Sequence, residues 1–319
     1  MCYSAEIEQQ IREYLRWEVA HIDMERFEEM FRRRLEDKSI VVAKALEASF
    51  NEPRNPVEKR IKGYIDQHHK QVAAKWETDL FDQSRRLADA ERKLKDKPTK
   101  KAAEDQRIAT KKISWLKYKL ADLKRTELKP KDSRIFPFWY APVVVVENGS
   151  RILRPMRYHC RPNAKPASYD RRFDGLYNAR RDSLEKFWKD VFGRHHAFVV
   201  AHSFYENVTR HRAEGRELRA GEEPENVVLH FNPRASGPMA LACLWDRWQA
   251  PGQPDLESFA AITDEPPPEV SAAGHDRCII PLKRSNLDAW FTPAGNDKSE
   301  LYALLDDRER PYYEHQLAA

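Results

Sequence analysis

Two apolar stripes of helical period, separated by one proline, constrain this chain more than any other feature. Trp76, Leu80, Gln83, Leu87, Ala90 and Leu94 advance in alternating steps of four and three, and Ala109, Ile113, Leu116, Leu120 and Leu123 repeat the rhythm. Such spacing places each set on one helix face. Pro98 lies between them, where a helix cannot continue. The pattern predicts an antiparallel, coiled-coil-like helical hairpin within residues 56–129. The hairpin also holds the basic charge. From Arg85 to Lys131 there are 17 Lys and Arg against 7 Asp and Glu, an excess of 10. The whole chain carries only +5, so the remainder sums to −5. These charges serve either as a solvated outer face or as a track for phosphates, and the stripe alone does not choose.

The flanking segments read differently. Ser4 reads as an N-cap, with Ile7, Ile11, Tyr14 and Leu15 at helical spacing behind it. A second helix is expected from Asp23, with Phe27, Met30, Phe31 and Leu35 on one face. Beyond Pro130 the texture turns to strands. Phe136–Val146 is aromatic and then β-branched, Glu147–Ser150 reads as a turn, and Arg151–Tyr158 as the returning strand. Further short apolar runs cover 197–201, 226–231, 239–244, 259–263 and 278–282, and Ser183–Phe192 reads as a short helix. The expected class is α+β: a β-rich core of sheets or an open barrel with packed helices, carrying the inserted hairpin. A single domain over 1–319 is expected, with 56–129 inserted in it.

No apolar run approaches the roughly 18 residues of a membrane span, and Met1–Trp17 has no signal-peptide pattern. Cys2, Cys160, Cys243 and Cys278 are far apart and form no C-x-x-C pair. Neither a disulfide framework nor a metal or cofactor site is expected, and a cytoplasmic location follows.

Cys2 is the residue with distinctive chemistry. Cysteine is small enough for Met1 to be removed, which would leave an α-amine beside a thiol. Those groups titrate at about 7.7–8.0 and about 8.5 in model peptides, so both are partly nucleophilic at neutral pH. The amine can condense with an aldehyde to a Schiff base, and the thiol can then close a five-membered thiazolidine. A ring-opened abasic deoxyribose is such an aldehyde.

Four later elements follow in order: Tyr177-Asn178-Ala179-Arg180-Arg181, Ser203-Phe204-Tyr205-Glu206-Asn207, Ala242-Cys243-Leu244-Trp245, and Gly274-His275-Asp276-Arg277 running on to Leu282. With Cys2 they resemble the SOS response-associated peptidase family, whose members shield abasic sites by crosslinking to them. The resemblance covers Met1 to about Tyr14 and Phe136–Phe291. It implies Cys2 as nucleophile, Asn178 holding the N-terminal residue and the opened sugar, Glu206 as proton shuttle, and His275 protonating or deprotonating the sugar. It also implies Arg180, Arg181 and Arg277 as phosphate contacts. The family's Trp-Gly element is missing where Pro155–Pro162 stands, and Arg157 or Tyr158 is expected to take its place as a DNA contact. Trp245 is expected to pack in the core, and Cys160, Cys243 and Cys278 to be inert fillers.

The expected function is therefore recognition of abasic sites in single-stranded DNA, ending in a thiazolidine crosslink, with no cofactor and as a monomer. A Schiff-base stage also permits strand cleavage by β-elimination. Two alternatives stay open. One is an N-terminal-nucleophile cysteine peptidase that processes itself. The other is a non-catalytic module that binds nucleic acid through the basic hairpin.

Overall fold

The computed structural model describes residues 4–234, 237–292 and 297–318. The valine run at 143–146 pairs back on Arg151–Arg154 through a two-residue turn. Asn148 and Gly149 form that turn at φ +50° and +74°. Positive φ at both positions matches the right-handed strand twist and suits Asn-Gly. The strands, in chain order, are β1 (Ser4–Ile7), β2 (His21–Ile22), β3 (Val41–Val42), β4 (Arg134–Ile135), β5 (Trp139–Glu147), β6 (Ser150–Tyr158) and β7 (Asn178–Arg180). They continue as β8 (His196–Thr209), β9 (Asn226–Pro233), β10 (Met239–Trp248), β11 (Leu256–Asp264), β12 (Cys278–Ile279), β13 (Pro281–Leu282) and β14 (Tyr313–Leu317).

Five of these strands form a closed ring. β5 pairs antiparallel with β6 and β8, β8 with β10, and β10 with β11. A parallel pairing of β11 with β6, at Ser258–Arg157 and Phe259–Tyr158, completes it. The α+β class holds, and the barrel is shut rather than open. A ring this narrow leaves little room inside, and one core cluster includes the small side chains Val143, Val145, Ala197, Val199, Cys243 and Ala261 beside larger ones such as Met156 and Phe259. Val144, Phe198, Val200, Ala240 and Ala242, alternating with them, belong to a second cluster with helical partners such as Phe27, Trp188 and Trp290. Period-2 alternation thus separates barrel interior from helix-covered exterior.

Asp23 caps helix α1 (Met24–Arg33), accepting from the Arg26 N–H at 3.2 Å, and Phe27, Met30 and Phe31 are buried as expected. Helix α2 spans Lys44–Ala48. The hairpin consists of α3 (Pro56–Asp96) and α4 (Lys100–Lys124). Asn55 caps α3 through the Glu58 N–H (2.9 Å), and Thr99 caps α4 through the Ala102 N–H (3.2 Å). Ile61 and Ile65 tie the base of α3 to the exterior core. Farther out Ala90, Ala109 and Leu116 are buried, Trp76 meets Trp115 edge-on, and Arg86 pairs with Asp105 at 2.6 Å.

Two local expectations fail. The segment after Ser4 is a strand, not a helix, and only Glu13–Trp17 coils, as a 3-10 turn. Pairing on both sides, with β8 and with β4, satisfies its backbone and overrides the helical spacing. Residues 184–192 form successive turns around buried Leu184 and Trp188 rather than a regular helix. No helix among the described residues is long and apolar enough to cross a membrane.

Candidate functional site

Two of the residues singled out by motif, Glu206 and His275, meet at one end of the barrel, and a third, Asn178, starts a strand that ends beside the histidine loop. Glu206 lies on β8 beyond the part that pairs with β10, where the strand passes between β1 and β9. Phe204, two residues earlier on the same face, stacks on Phe231 at 5.0 Å and meets the Tyr313 ring edge-on. This packing holds that stretch of strand rigid and leaves the Glu206 side chain fully buried.

His275 reaches Glu206 from the loop before β12, its Nε2 lying 3.2 Å from Glu206 Oε2. Gly274 makes that approach possible. Its φ is +92°, and a Cβ there would stand 2.7 Å from the Arg212 Cβ. The other ring nitrogen, Nδ1, sits 2.9 Å from the Arg277 carbonyl and 3.3 Å from the Arg277 N–H. We assign the shorter contact as Nδ1–H donating to the carbonyl oxygen. Nε2 then faces a carboxylate oxygen, and one further proton is needed to make that contact attractive. Burial is the largest influence on His275 and moves its pKa below the usual imidazole range.

Asn178 begins β7, which runs parallel to β11 with Asn178 opposite Ala261. Its N–H donates to the Gly175 carbonyl at 3.1 Å, and the residue is buried. The end of β7 lies beside the histidine loop: the charge of Asp276 acts on Arg180, and that of Arg277 on Asp182. Glu206 likewise raises the Cys278 thiol, after the larger effect of burial. Asn178, Glu206 and His275 thus come from separate strands and loops around one end of the ring.

Cys2 lies outside the described residues. The described chain starts at Ser4, whose register partner is Tyr205, the neighbour of Glu206.

The arginines divide. Arg180 is exposed and pairs with Asp182 two residues on (Nε–Oδ1 3.1 Å). Arg277 is half-buried, and among the described residues no side-chain hydrogen bond or ion pair engages its guanidinium. Arg181 is clamped between Asp264 (3.0 Å) and Asp306 (2.8 Å) and serves the fold. Arg157 and Tyr158, expected at the DNA surface, are both buried, on opposite faces of β6. Arg157 is 9% exposed, bonds Asp170 at 2.7 Å and donates to the His159 carbonyl. Tyr158 is 3% exposed and stacks on Phe259 at 5.2 Å. The pairing of β6 with both β5 and β11 turns this segment into barrel wall, so neither side chain is presented to a strand. Trp245 is half-buried against the interior cluster. Cys160, Cys243 and Cys278 are buried, and burial raises each thiol's pKa.

A polar cluster beside Glu206 was not foreseen from the sequence. Tyr205 Oη donates to Glu6, the Tyr205 ring stacks on His230 at 4.2 Å, and the Arg134 guanidinium lies 3.6 Å from the ring centroid. Arg134 also donates to Ser4 Oγ at 2.9 Å. Of these residues only Tyr205 lies in a motif, as the neighbour of Glu206. The pairings of β1 with β8 and β4, and of β8 with β9, bring them together.

A sequence model of the family described as SOS response associated peptidase (SRAP) matches residues 97–318. No curated protein matches the chain. Among solved structures, one protein from Bordetella bronchiseptica is 15% identical, covers 59% of this chain and 87% of its own, and has a TM-score of 0.46. A protein from Bacteroides thetaiotaomicron is 14% identical over 58% and 77%, with a TM-score of 0.45. A phage-related protein from Bordetella bronchiseptica is 17% identical over 61% and 85%, with a TM-score of 0.43.

Proposed function

Given that the chain belongs to the SOS response-associated peptidase family, we propose that it captures abasic sites in single-stranded DNA as a covalent crosslink through Cys2. The observation that carries this reading is the buried contact between His275 Nε2 and Glu206 Oε2 at 3.2 Å, beside the strand that leads from Cys2. One residue, Tyr3, separates Cys2 from Ser4, so the chain itself keeps their Cα atoms within about 7–8 Å.

The chemistry is a condensation. The α-amine of Cys2, once Met1 is gone, adds to the C1′ aldehyde of the opened sugar to give a carbinolamine. Loss of water, with a proton delivered to the departing hydroxyl, gives the imine. The thiol adds to the imine carbon, its proton passes to the nitrogen, and the thiazolidine closes with no change in oxidation state. Each step moves a proton, and the Glu206–His275 pair supplies and removes protons without bulk water. Asn178 is the positioning residue, with an amide that can both donate and accept. Arg277 and Arg180 are the phosphate contacts, and such contacts confer affinity without reading sequence.

The test is a denaturing gel of protein incubated with a single-stranded oligonucleotide carrying one abasic site. A heat-stable shifted band that Cys2→Ala abolishes supports the reading. No band from protein with a verified free N-terminal Cys2 overturns it.

A further inference from the structure

The largest cavity described lies away from the site above, between the hairpin and the core. It is a cleft of about 720 Å³ bounded by α3, α4, the loop after α1, and β3. Five cationic side chains line it, Arg34, Lys38, Lys44, Lys75 and Lys119, against two carboxylates, Glu47 and Asp122. Both carboxylates are already neutralised. Glu47 pairs with Arg34 and, at 2.9 Å, with His69, and Asp122 pairs with Arg125 at 2.9 Å. Among the described residues no hydrogen bond or ion pair engages the ammonium groups of Lys38, Lys75 or Lys119. A smaller cavity of about 370 Å³ shares Lys44, Glu47 and His69 with the cleft and adds Lys62, Lys70 and Lys124.

The cleft selects an anion. Glu47, His68 and His69 bring possible metal-ligand atoms within 4.8 Å of one another, but the Glu47 carboxylate is already ion-paired with Arg34, whose charge also disfavours a cation there. His68 is held down to about 4, by burial first and then by Arg34, as a cationic surrounding requires. The cleft also selects a flat ring. Trp76 from the hairpin and Trp139 from β5 both line it, and both are half-buried. Ammonium groups interleaved with indoles match phosphates alternating with bases.

The cleft is joined to the site. Ser4 Oγ accepts from Arg134, whose guanidinium lies 4.8 Å from the Phe136 ring centroid. That ring lies 5.3 Å from Trp139 in the cleft wall. A path of basic and aromatic side chains therefore runs from the start of β1 to the hairpin.

We propose that this cleft holds the single-stranded DNA flanking the lesion, with phosphates on Lys38, Lys75 and Lys119 and bases against Trp139 and Trp76. The hairpin then clamps the strand instead of serving as a solvated spacer. That the occupant is DNA rests on the function proposed above; the anionic, ring-bearing chemistry rests on the cleft itself.

The test uses the full chain and an unmodified 20-nucleotide strand without an abasic site, followed by fluorescence anisotropy over a range of salt. The triple substitution Lys38→Glu, Lys75→Glu, Lys119→Glu is compared with Lys101→Glu, Lys112→Glu, Lys117→Glu on the exposed side of the hairpin. The cleft variant should lose at least tenfold in affinity and lower the slope of log K against log salt by about 2, as three lost phosphate contacts require. The outer variant should change affinity by less than threefold. Trp76→Ala should weaken binding about fivefold or more without changing the salt slope. Equal losses in the two triple variants, or an unchanged slope in the cleft variant, would overturn the proposal. Crosslinking to an abasic strand is scored separately at saturating DNA. If it is intact in the cleft variant while affinity is unchanged, the clamp fails and the Cys2 reading survives. If wild type never crosslinks yet the cleft variant loses affinity, the clamp stands and the Cys2 reading fails.

Discussion

His275 Nε2 stands 3.2 Å from Glu206 Oε2, with the two side chains only 7% and 0% exposed. A buried imidazole against a buried carboxylate is costly unless a proton is shared between them. Gly274 commits the backbone to that cost by lifting the histidine loop over Arg212.

Replacing either partner should therefore slow crosslinking without abolishing DNA binding. Glu206→Gln and His275→Ala are each expected to lower the single-turnover crosslinking rate by about 10²-fold or more, the usual scale for a lost proton-transfer group. Rates from gel time courses at saturating abasic DNA, set beside anisotropy on unmodified DNA, check this. Equal losses in affinity and rate would mean that the pair serves only to bind.

Gly274→Ala should destabilise the fold by about 1–3 kcal/mol, because an L side chain at φ +92° is strained and its Cβ meets Arg212. Denaturant melts measure the loss. The crosslinking rate should fall with it, since the same loop carries His275.

Stability should fall in acid through buried histidines. His196 stacks on Trp290 at 4.0 Å, and burial lowers it to about 4, with His159 likewise at about 4. A group whose folded pKa lies below its unfolded value, near 6.5, adds its full stability above 6.5 and loses it as pH falls toward 4. For His196 alone the difference is about 3 kcal/mol at neutral pH, at 1.36 kcal/mol for each pH unit. Urea melts between pH 7 and 4 should show the decline, and NMR titration should find both rings neutral at pH 5.

Arg181→Ala and Arg277→Ala should separate structure from binding. Loss of Arg181 releases Asp264 and Asp306 and should cost about 1–2 kcal/mol of stability with little change in DNA affinity. Loss of Arg277 should leave the melt unchanged and lower the salt slope of single-strand binding by about 0.7, one phosphate contact.

The local patterns were legible because they depend on residues close in sequence. The 3.5-residue stripes foretold a hairpin whose helices run 56–96 and 100–124, and Asn148-Gly149 foretold the β5–β6 turn. The order of the motifs named Asn178, Glu206 and His275 before any geometry was known, although not that Glu206 and His275 meet. Non-local pairing decided the rest. Ser4–Ile7 has the spacing of a helix but gains more hydrogen bonds between β8 and β4 than a first helical turn would supply. Arg157 and Tyr158 follow a strand alternation that fits a surface equally well, and the tertiary contacts of β6 buried both, Tyr158 in the interior cluster and Arg157 against Asp170 on the other face. The basic cleft is lined by residues from Arg34 to Trp139, from three helices, two strands and the loop after α1 that lie far apart in the chain. By itself, then, the amino-acid sequence determined the hairpin, the helix capped by Asp23 and the β5–β6 turn, and it named the candidate site residues; the structural features depend on neighbours within a few residues. Ring closure and the meeting of Glu206 with His275 were decided by tertiary structure alone, since each depends on contacts whose partners lie far apart in the chain.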